Sequence, residues 1–195
     1  MKKYFISLVV FVIMLCGCTG NKIAKSMNDY REIDIRNLRE SAGRLIGEDW
    51  TLITAGDSTN FNTMTASWGT LGHLWNRHVA IVFVRPQRYT FEFMENGDYF
   101  TLSFFEMEKY RPALQLLGTK SGRDGDKVSE AGLTPLATPY GVSFGEANMI
   151  IECKKIYSEF LNPKSFIDTT IIDKVYPQKD FHKMYVGEIL GVWRR

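Results

Sequence analysis

Segments with the pattern of β-strands recur along this chain without helices at regular intervals between them. The run Val-Ala-Ile-Val-Phe-Val at 79–84 is wholly apolar, as in a strand buried on both faces, and Pro86 stops it. The strands predicted from such runs lie at 50–54, 62–68, 79–84, 99–105, 142–144, 149–160 and 184–193. Because no regular β-α-β alternation joins these strands, we expect a mainly β fold with inserted helices, an antiparallel barrel rather than a doubly wound sheet.

Helices are predicted at four places between the strands. Apolar residues recur near helical spacing over 33–46, with Asp34 as a candidate N-cap and Gly47 where the helix would end. Shorter helices are predicted at 89–95, at 110–117 with Pro112 in the first turn, and at 127–131. The segment 164–173 is ambiguous between strand and helix.

The N-terminus resembles a bacterial lipoprotein signal. Lys2 and Lys3 precede an apolar run over 4–16, which is too short for a comfortable membrane-spanning helix. The run ends in Leu-Cys-Gly-Cys, and the last of these residues, Cys18, is the expected lipidation site. An uncleaved N-terminal anchor or a misassigned start codon is the alternative.

This signal predicts the domain organisation and the location of the protein. We expect a signal peptide over 1–17, a lipidated N-terminus and polar tether over 18–32, and one folded domain over 33–195. Such a chain would be exported and held by its lipid on a bacterial membrane, either facing the periplasm or in the outer membrane.

Composition and charge exclude several classes of protein. The chain is 45% hydrophobic and 13% aromatic, which is too much for a disordered protein. A net charge of +2 is too small to indicate nucleic-acid binding. Three cysteines, two of them in the signal region, are too few for a disulfide-rich scaffold.

Familiar catalytic motifs are missing from the sequence. The histidines His73, His78 and His182 have no metal-binding spacing, so no metal site is expected. There is also no nucleophile elbow, no Walker loop and no glycine-rich dinucleotide motif after a strand.

Three segments carry a functional signal. The run Asn-Thr-Met-Thr-Ala-Ser-Trp-Gly at 62–69 has small side chains that let a flat ring approach the backbone. The run Val-Arg-Pro-Gln-Arg-Tyr-Thr at 84–90 places two arginines before a helix, as in a phosphate pocket. The run Lys-Ser-Gly-Arg-Asp-Gly-Asp-Lys at 120–127 can bend around an anion. Taken singly, these segments are equally compatible with an edge strand, solvated surface charges and an ordinary surface turn.

Together, the three segments resemble the flavin reductase-like family with its FMN-binding split barrel. The strand Trp-Thr-Leu-Ile-Thr at 50–54 precedes them, and the run His-Lys-Met-Tyr-Val-Gly-Glu at 182–188 follows them, in the order expected of the family. The resemblance implies a Greek-key split β-barrel that forms a homodimer and binds FMN near the subunit interface. It also implies NADH or NADPH as an electron donor, with no nucleic-acid partner.

The resemblance assigns roles to individual residues. Thr65 to Trp68 match the run beside the flavin ring, and the arginine segment matches the one near the ribityl phosphate. His182 matches a histidine near flavin and nicotinamide; many members have Asp directly before it, whereas here Phe181 separates it from Asp180. The residues expected to bind the cofactor are Asn62, Thr63, Met64, Thr65, Ala66, Ser67, Trp68, Arg85, Pro86, Arg88, Tyr89, Thr90, Ser121, Gly122, Arg123 and Lys127.

Three hypotheses about function follow. The first is an FMN-dependent oxidoreductase that transfers hydride or electrons between NAD(P)H and flavin, in which the cofactor supplies the chemistry and the protein positions it. The second is an exported flavin-binding electron-transfer protein that does not use NAD(P)H directly. The third is a barrel that serves only as an interaction domain.

Overall fold

The computed structural model of the protein describes residues 26–195. The expected signal peptide over 1–17 and the lipidation site Cys18 lie outside the described residues. The strands are β1 (Arg31–Ile33), β2 (Thr51–Gly56), β3 (Phe61–Ala66), β4 (Gly69–Leu74), β5 (Arg77–Val84), β6 (Tyr99–Phe104), β7 (Pro135–Ala137), β8 (Val142–Phe144), β9 (Met149–Phe160) and β10 (Lys183–Arg194). The α-helices are α1 (Tyr89–Asn96), α2 (Met107–Thr119), α3 (Lys127–Glu130) and α4 (Thr170–Val175).

An antiparallel sheet runs in the order β3-β2-β6-β9-β10-β5-β4 and forms the body of the fold. Its two outer strands, β3 and β4, follow one another in sequence with only Ser67 and Trp68 between them. Two linking residues span about 10 Å at most, so the sheet must curl until its outer edges meet. The barrel is therefore split between β3 and β4, and the expected mainly β split-barrel fold is confirmed.

The long strands β9 and β10 hold the barrel together. They pair along most of their length, with register shifts between Val186 and Gly187 and again near Gly191. The opposite edge of β10 is shared, because β5 pairs with its first half and β1 with its last three residues. A Cβ atom at Gly187 would lie 2.6 Å from the Phe100 ring of β6 and 2.8 Å from Cβ of Cys153 in β9, so glycine leaves room for both side chains.

The apolar core has two layers. The first fills the barrel and includes Ile53, Met64, Phe100 and Tyr185. The second lies between the outer face of the sheet and α2, where Leu52 packs with Leu114 and Leu117. Residues of β3 alternate between these layers, so Met64 faces the barrel interior while the hydroxyl of Thr65 donates to the Leu114 carbonyl of α2 at 2.5 Å.

The helix predicted over 33–46 is wrong. Ile33 ends β1, where it pairs with Val192, and Asp34 then accepts a hydrogen bond from the backbone N–H of Arg36. That bond caps a single 3-10 turn, Ile35–Asn37, and a short π-helix follows at Gly43–Glu48. The apolar residues of the segment still face the barrel core, which explains why their spacing looked helical.

Other boundaries also differ from the sequence prediction. Strand β4 was not predicted, because Gly69–Leu74 lacks a clear alternation and ends in a turn where Trp75 and Asn76 have positive φ. Helix α2 begins at Met107, so Pro112 lies beyond its first turn. The ambiguous segment contains a 3-10 turn, Pro163–Ser165, and the start of α4.

The end of the expected tether packs onto the domain. A 3-10 turn, Met27–Asp29, precedes Tyr30, which is buried. The Tyr30 hydroxyl donates to the Ala147 carbonyl at 2.6 Å. This contact and the pairing of β1 with β10 extend the packed structure to residues before 33.

Candidate functional site

Two pockets lie along β3, beside the split in the barrel, and they meet at Met64. The Trp68 pocket has a volume of about 240 Å³ and is lined by Met64, Thr65, Ala66, Ser67, Trp68, Phe83, Arg85 and His182. The Arg88 pocket has a volume of about 210 Å³ and is lined by Asn62, Met64, Gln87, Arg88, Tyr89, Thr90, Thr119, Ser121 and Lys127. No acidic residue lines either pocket.

The Arg88 pocket carries two cations that lack an acidic partner. Lys127 is buried and its Nζ donates to the carbonyls of Lys120 at 3.0 Å and Leu117 at 3.4 Å. Burial, and then the charge of Arg88, lower the pKa of Lys127 to about 8. Among residues 26–195, the side chain of Arg88 makes neither a hydrogen bond nor an ion pair, and burial followed by the charge of Arg85 lowers its pKa. Two converging cations without a counter-ion indicate an anion-binding site.

Polar groups complete the wall of the Arg88 pocket. Arg88 occupies the N-cap position of α1, where the helix dipole also favours an anion. The Asn62 side chain donates from Nδ2 to the buried hydroxyl of Thr90 at 2.7 Å. Gly122 lies directly against this pair, because a Cβ atom there would be 2.1 Å from Oδ1 of Asn62. The hydroxyls of Thr119 and Ser121 line the same pocket.

The Trp68 pocket combines an exposed indole with a buried histidine. Trp68 is 48% exposed, and its ring centroid lies 5.1 Å from that of His182. Nδ1 of His182 is 2.9 Å from the hydroxyl of Tyr176, which is also buried. Burial, and then the nearby charge of Arg85, lower the pKa of His182 to about 4, so its imidazole is neutral at pH 7.

Arg85 does not lie in the Arg88 pocket, contrary to the sequence expectation. Its guanidinium pairs with Asp180 and donates to the Val175 carbonyl at 3.0 Å, on the side of the Trp68 pocket. The two arginines of the 84–90 run therefore separate, since the turn between β5 and α1 directs them to different pockets.

Four predicted residues lie outside both pockets: Thr63, Pro86, Gly122 and Arg123. Thr63 is buried, and its hydroxyl donates to the Ile53 carbonyl at 3.2 Å. Pro86 is exposed in the turn between β5 and α1. Arg123 pairs with Glu92 and lies over the Tyr89 ring at 4.6 Å, so its charge is already compensated.

Most of the predicted residues nevertheless come together. Those that line the two pockets are Asn62, Met64, Thr65, Ala66, Ser67, Trp68, Arg85, Arg88, Tyr89, Thr90, Ser121, Lys127 and His182. Gly122 lies against Asn62 and lines an adjoining groove of about 670 Å³. Sequence reasoning missed Phe83, Gln87, Thr119 and Tyr176; the first two lie within or next to recognised motifs, whereas nothing in the sequence marks Tyr176.

The described residues contain neither a candidate metal centre nor a helix that could span a membrane. No group of three or more His, Cys, Asp and Glu side chains there could hold a metal ion. In the same residues no helix has the length and apolar character needed to cross a membrane.

Comparison with known proteins identifies a family and solved structures that are similar to this chain. Residues 43–195 match the family described as a flavin reductase like domain. The FMN-binding domain of a flavin reductases-like enzyme from Shewanella baltica is similar with a TM-score of 0.59 and 16% identity, covering 85% of this chain and 76% of that one. Flavoredoxin from Desulfovibrio vulgaris has a TM-score of 0.58 and 23% identity, and the match covers 81% of this chain and 77% of flavoredoxin.

A third similar structure is the NADH:FAD oxidoreductase of Streptomyces globisporus, with a TM-score of 0.58 and 14% identity. The match covers 78% of this chain and 80% of the oxidoreductase. At such identities these neighbours establish a shared fold. No protein of curated function matches the sequence significantly. Because the family match spans most of the sequence and the neighbours share the split barrel, this chain belongs to the flavin reductase-like family.

Proposed function

We propose that the protein is an FMN-binding oxidoreductase that transfers hydride or electrons between NAD(P)H and flavin. The observation that carries this proposal is the pair formed by Arg88 and Lys127, two cations without an acidic partner in the described chain. They lie in the Arg88 pocket, which meets the Trp68 pocket at Met64. A ligand with a phosphate at one end and a flat ring at the other fits this arrangement.

The Arg88 pocket suits the phosphate of FMN. Arg88 and Lys127 would offset its negative charge, and the hydroxyls of Ser121 and Thr119 would supply further hydrogen bonds. A bound anion would relieve the repulsion between Arg88 and Lys127, two cations that the folded protein holds close together.

The Trp68 pocket suits the ring. Thr65, Ala66 and Ser67 are small, and the only strand that pairs with β3 within the described sheet is β2. The other edge of β3 therefore has backbone N–H and C=O groups that can bond the polar edge of a ring. The indole of Trp68 offers an apolar surface at the mouth of the pocket.

The residues of this chain bind and orient rather than react. Bound FMN would supply the hydride and electron chemistry. Arg88 and Lys127 would fix the phosphate, and the small residues of β3 would set the depth of the ring. His182, neutral at pH 7, would contribute a hydrogen bond rather than a charge. No side chain need act as a nucleophile or general base.

The test of this function is the absorbance spectrum of the FMN-loaded protein before and after addition of NADH or NADPH. Loss of the oxidised flavin bands with either nucleotide is the expected result. Bound FMN that neither nucleotide bleaches would reject the NAD(P)H step. Purified protein that takes up no FMN would reject the cofactor itself.

A second candidate function is an exported flavin-binding electron-transfer protein that does not use NAD(P)H. The lipoprotein-like N-terminus favours it, because free nicotinamide nucleotides are scarce outside the cytoplasm. We also propose that Cys18 is lipidated and anchors the exported protein to a membrane. FMN that is reduced by a small artificial donor but not by NADH or NADPH would select this function.

We propose in addition that the protein is a homodimer. Ile167 is fully exposed and Ile171 is partly exposed, and both lie in the segment that leads to Tyr176 beside the Trp68 pocket. Apolar side chains so exposed are typical of surfaces that bind a partner. We expect a dimer by light scattering and a shift toward monomer in Ile167→Asp; an unchanged dimer in that variant would place the interface elsewhere.

A further inference from the structure

The structure contains a buried pair of side chains that sequence motifs do not reveal. The hydroxyl of Tyr176 and Nδ1 of His182 are 2.9 Å apart, and both residues are buried. His182 lines the Trp68 pocket, whereas Tyr176 does not. Tyr176 thus contacts the histidine from behind, outside the space that a ligand would occupy.

The chemistry of the phenol sets the direction of this hydrogen bond. Burial raises the pKa of Tyr176 above its ordinary value, so the group keeps its proton at pH 7. Among the described residues, its hydroxyl has no other hydrogen-bond partner than Nδ1 of His182. If Nδ1 donated instead, the buried O–H of Tyr176 would have no acceptor among the described residues. The hydroxyl is therefore assigned as the donor and Nδ1 as the acceptor, which places the proton of the neutral ring on Nε2.

The Nε2–H group is available to a ligand. Nε2 makes no hydrogen bond within the described part of the chain, and it is not among the buried polar atoms that lack a partner. Since His182 lines the Trp68 pocket, we infer that Nε2–H opens toward this pocket. The groups that act electrostatically on His182 are Arg85 and Asp180, and the dominant influence is burial, which keeps the ring neutral.

Tyr176 is itself held in place from several directions. The Phe181 ring stacks on it with centroids 4.7 Å apart, and the Phe166 ring meets it edge-on at 6.0 Å. The guanidinium of Arg85 lies over the Tyr176 ring at 5.3 Å. A phenol fixed in this way can fix the imidazole in turn.

The carboxylate close to His182 in sequence does not orient it. Oδ2 of Asp180 accepts hydrogen bonds from Arg85 and from Gln87, the latter at 2.5 Å. Its Oδ1 is buried and has no hydrogen-bond partner in the described chain. The role that a carboxylate could have played beside the imidazole is thus left to the phenol of Tyr176.

We propose that Tyr176 is a positioning residue that holds His182 in the tautomer with Nε2–H directed into the Trp68 pocket. The position and tautomer stand on the geometry of this chain, and their use in flavin reduction rests on the proposed function. Tyr176 supplies orientation only and does not touch the ligand.

The tautomer is tested by nitrogen-15 NMR of the histidine side chains in protein without added flavin. The His182 signals are assigned by their loss in His182→Gln. Wild-type protein should show one neutral tautomer, with the proton on Nε2. Tyr176→Phe, which keeps the aromatic packing, should show a mixture of tautomers, whereas Tyr157→Phe, whose hydroxyl bonds exposed Glu159 instead, should match wild type. A proton on Nδ1 in wild type, or an unchanged single tautomer in Tyr176→Phe, would overturn the proposal.

The functional consequence is tested by a double-mutant cycle on FMN reduction. Tyr176→Phe should slow the reduction roughly fivefold, the scale of one neutral hydrogen bond. In a His182→Ala background the same change should have no further effect, because the group that Tyr176 positions is gone. An equal effect in both backgrounds would show a role independent of His182. If the protein reduces no FMN, the proposed function fails, while the NMR result still decides the tautomer.

Discussion

At the residue scale, the proposed phosphate site depends on two cations, Arg88 and Lys127, that have no acidic partner in the described chain. Arg85 and Arg88 look equivalent in the sequence, three positions apart on either side of Pro86 and Gln87. In the folded chain one is paired with Asp180 and the other is not. The unpaired residue is the better candidate for a ligand contact. An arginine paired with a carboxylate has its charge already neutralised and attracts a phosphate less strongly.

Replacement of Arg88 should weaken FMN binding. We expect Arg88→Ala to cost about 1.5–3 kcal/mol of binding free energy, the scale of a hydrogen bond to a charged group. Isothermal titration or flavin fluorescence measures the change. Arg123→Ala is the matched control, since Arg123 is nearby but paired with Glu92, and it should have a much smaller effect. Equal losses in the two variants would remove Arg88 from the phosphate site.

The affinity for FMN should depend on pH through Lys127. Its pKa of about 8 in the folded protein lies below the ordinary value of 10.5. A bound phosphate favours the protonated amine, so the affinity should be full below pH 8 and should fall as pH rises past that value. Binding measured between pH 7 and pH 9 checks the prediction. Lys127→Gln should bind more weakly but show little of this pH dependence; a slope equal to that of wild type would place the titrating group elsewhere.

At the element scale, the site depends on where β3 ends and how the 121–126 loop meets it. Edge position makes β3 useful, because its outer backbone groups are not paired with another strand of the described sheet. The loop closes against this strand at one point, where Gly122 contacts Asn62 and Tyr89. Asn62 in turn is held by Thr90 at the start of α1, so strand, loop and helix are joined through one amide.

A side chain at Gly122 should disturb this junction. Gly122→Ala places a Cβ atom within 2.1 Å of Asn62 Oδ1, and Asn62 can move only by giving up its hydrogen bond to Thr90. We expect a loss of about 1–3 kcal/mol in the free energy of unfolding, typical of overpacking, together with weaker FMN binding. Thermal unfolding and an FMN titration measure the two effects. Gly72→Ala, where the new Cβ has no heavy atom within 4 Å, should leave both unchanged; comparable losses there would mean that the Asn62 contact is not the cause.

Much of the fold was predictable because its strands are unusually apolar. The runs that form β5 and β9 were recognised as strands because they are rich in apolar residues. The order of motifs along the chain predicted the barrel family. The failures have local causes. The helix predicted over 33–46 is absent because Ile33 pairs in β1 and because the chain becomes extended at Leu38, after one 3-10 turn. Strand β4 was missed because it is a short, exposed edge strand rich in glycine.

The site was predictable in outline but not in its pairings. Adjacent motif residues such as Thr65, Ser67 and Lys127 were found because small or charged side chains cluster in sequence. Which arginine is paired, and that Thr63 bonds to β2 instead of lining a pocket, depends on contacts between residues far apart in the chain. Tyr176 could not be predicted from the sequence, because its proposed role depends on a single contact with His182 that no motif marks.

At the scale of the whole molecule, the chain combines the proposed lipid anchor at Cys18 with the proposed flavin-binding barrel. Met27, at the start of the described residues, packs against the domain core, and Cys18 precedes it by nine positions in the sequence.

The anchor is tested by Cys18→Ala. We expect this variant to lose labelling by a fatty-acid probe and to accumulate as an unprocessed precursor, because the acceptor thiol is gone. Gel mobility and metabolic labelling measure both effects, and Cys153→Ala serves as the control because that thiol is buried in the barrel. Labelling that persists in Cys18→Ala would assign the lipid to another residue.

The most direct test of the account compares the binding of FMN with that of riboflavin, which has the same ring and no phosphate. If Arg88 and Lys127 anchor a phosphate, FMN should bind at least roughly tenfold more tightly than riboflavin, the scale of one charged hydrogen bond. Arg88→Ala should reduce this preference while changing riboflavin binding little. Equal affinities for the two flavins, or no binding of either, would contradict the central claim that this barrel holds FMN by its phosphate.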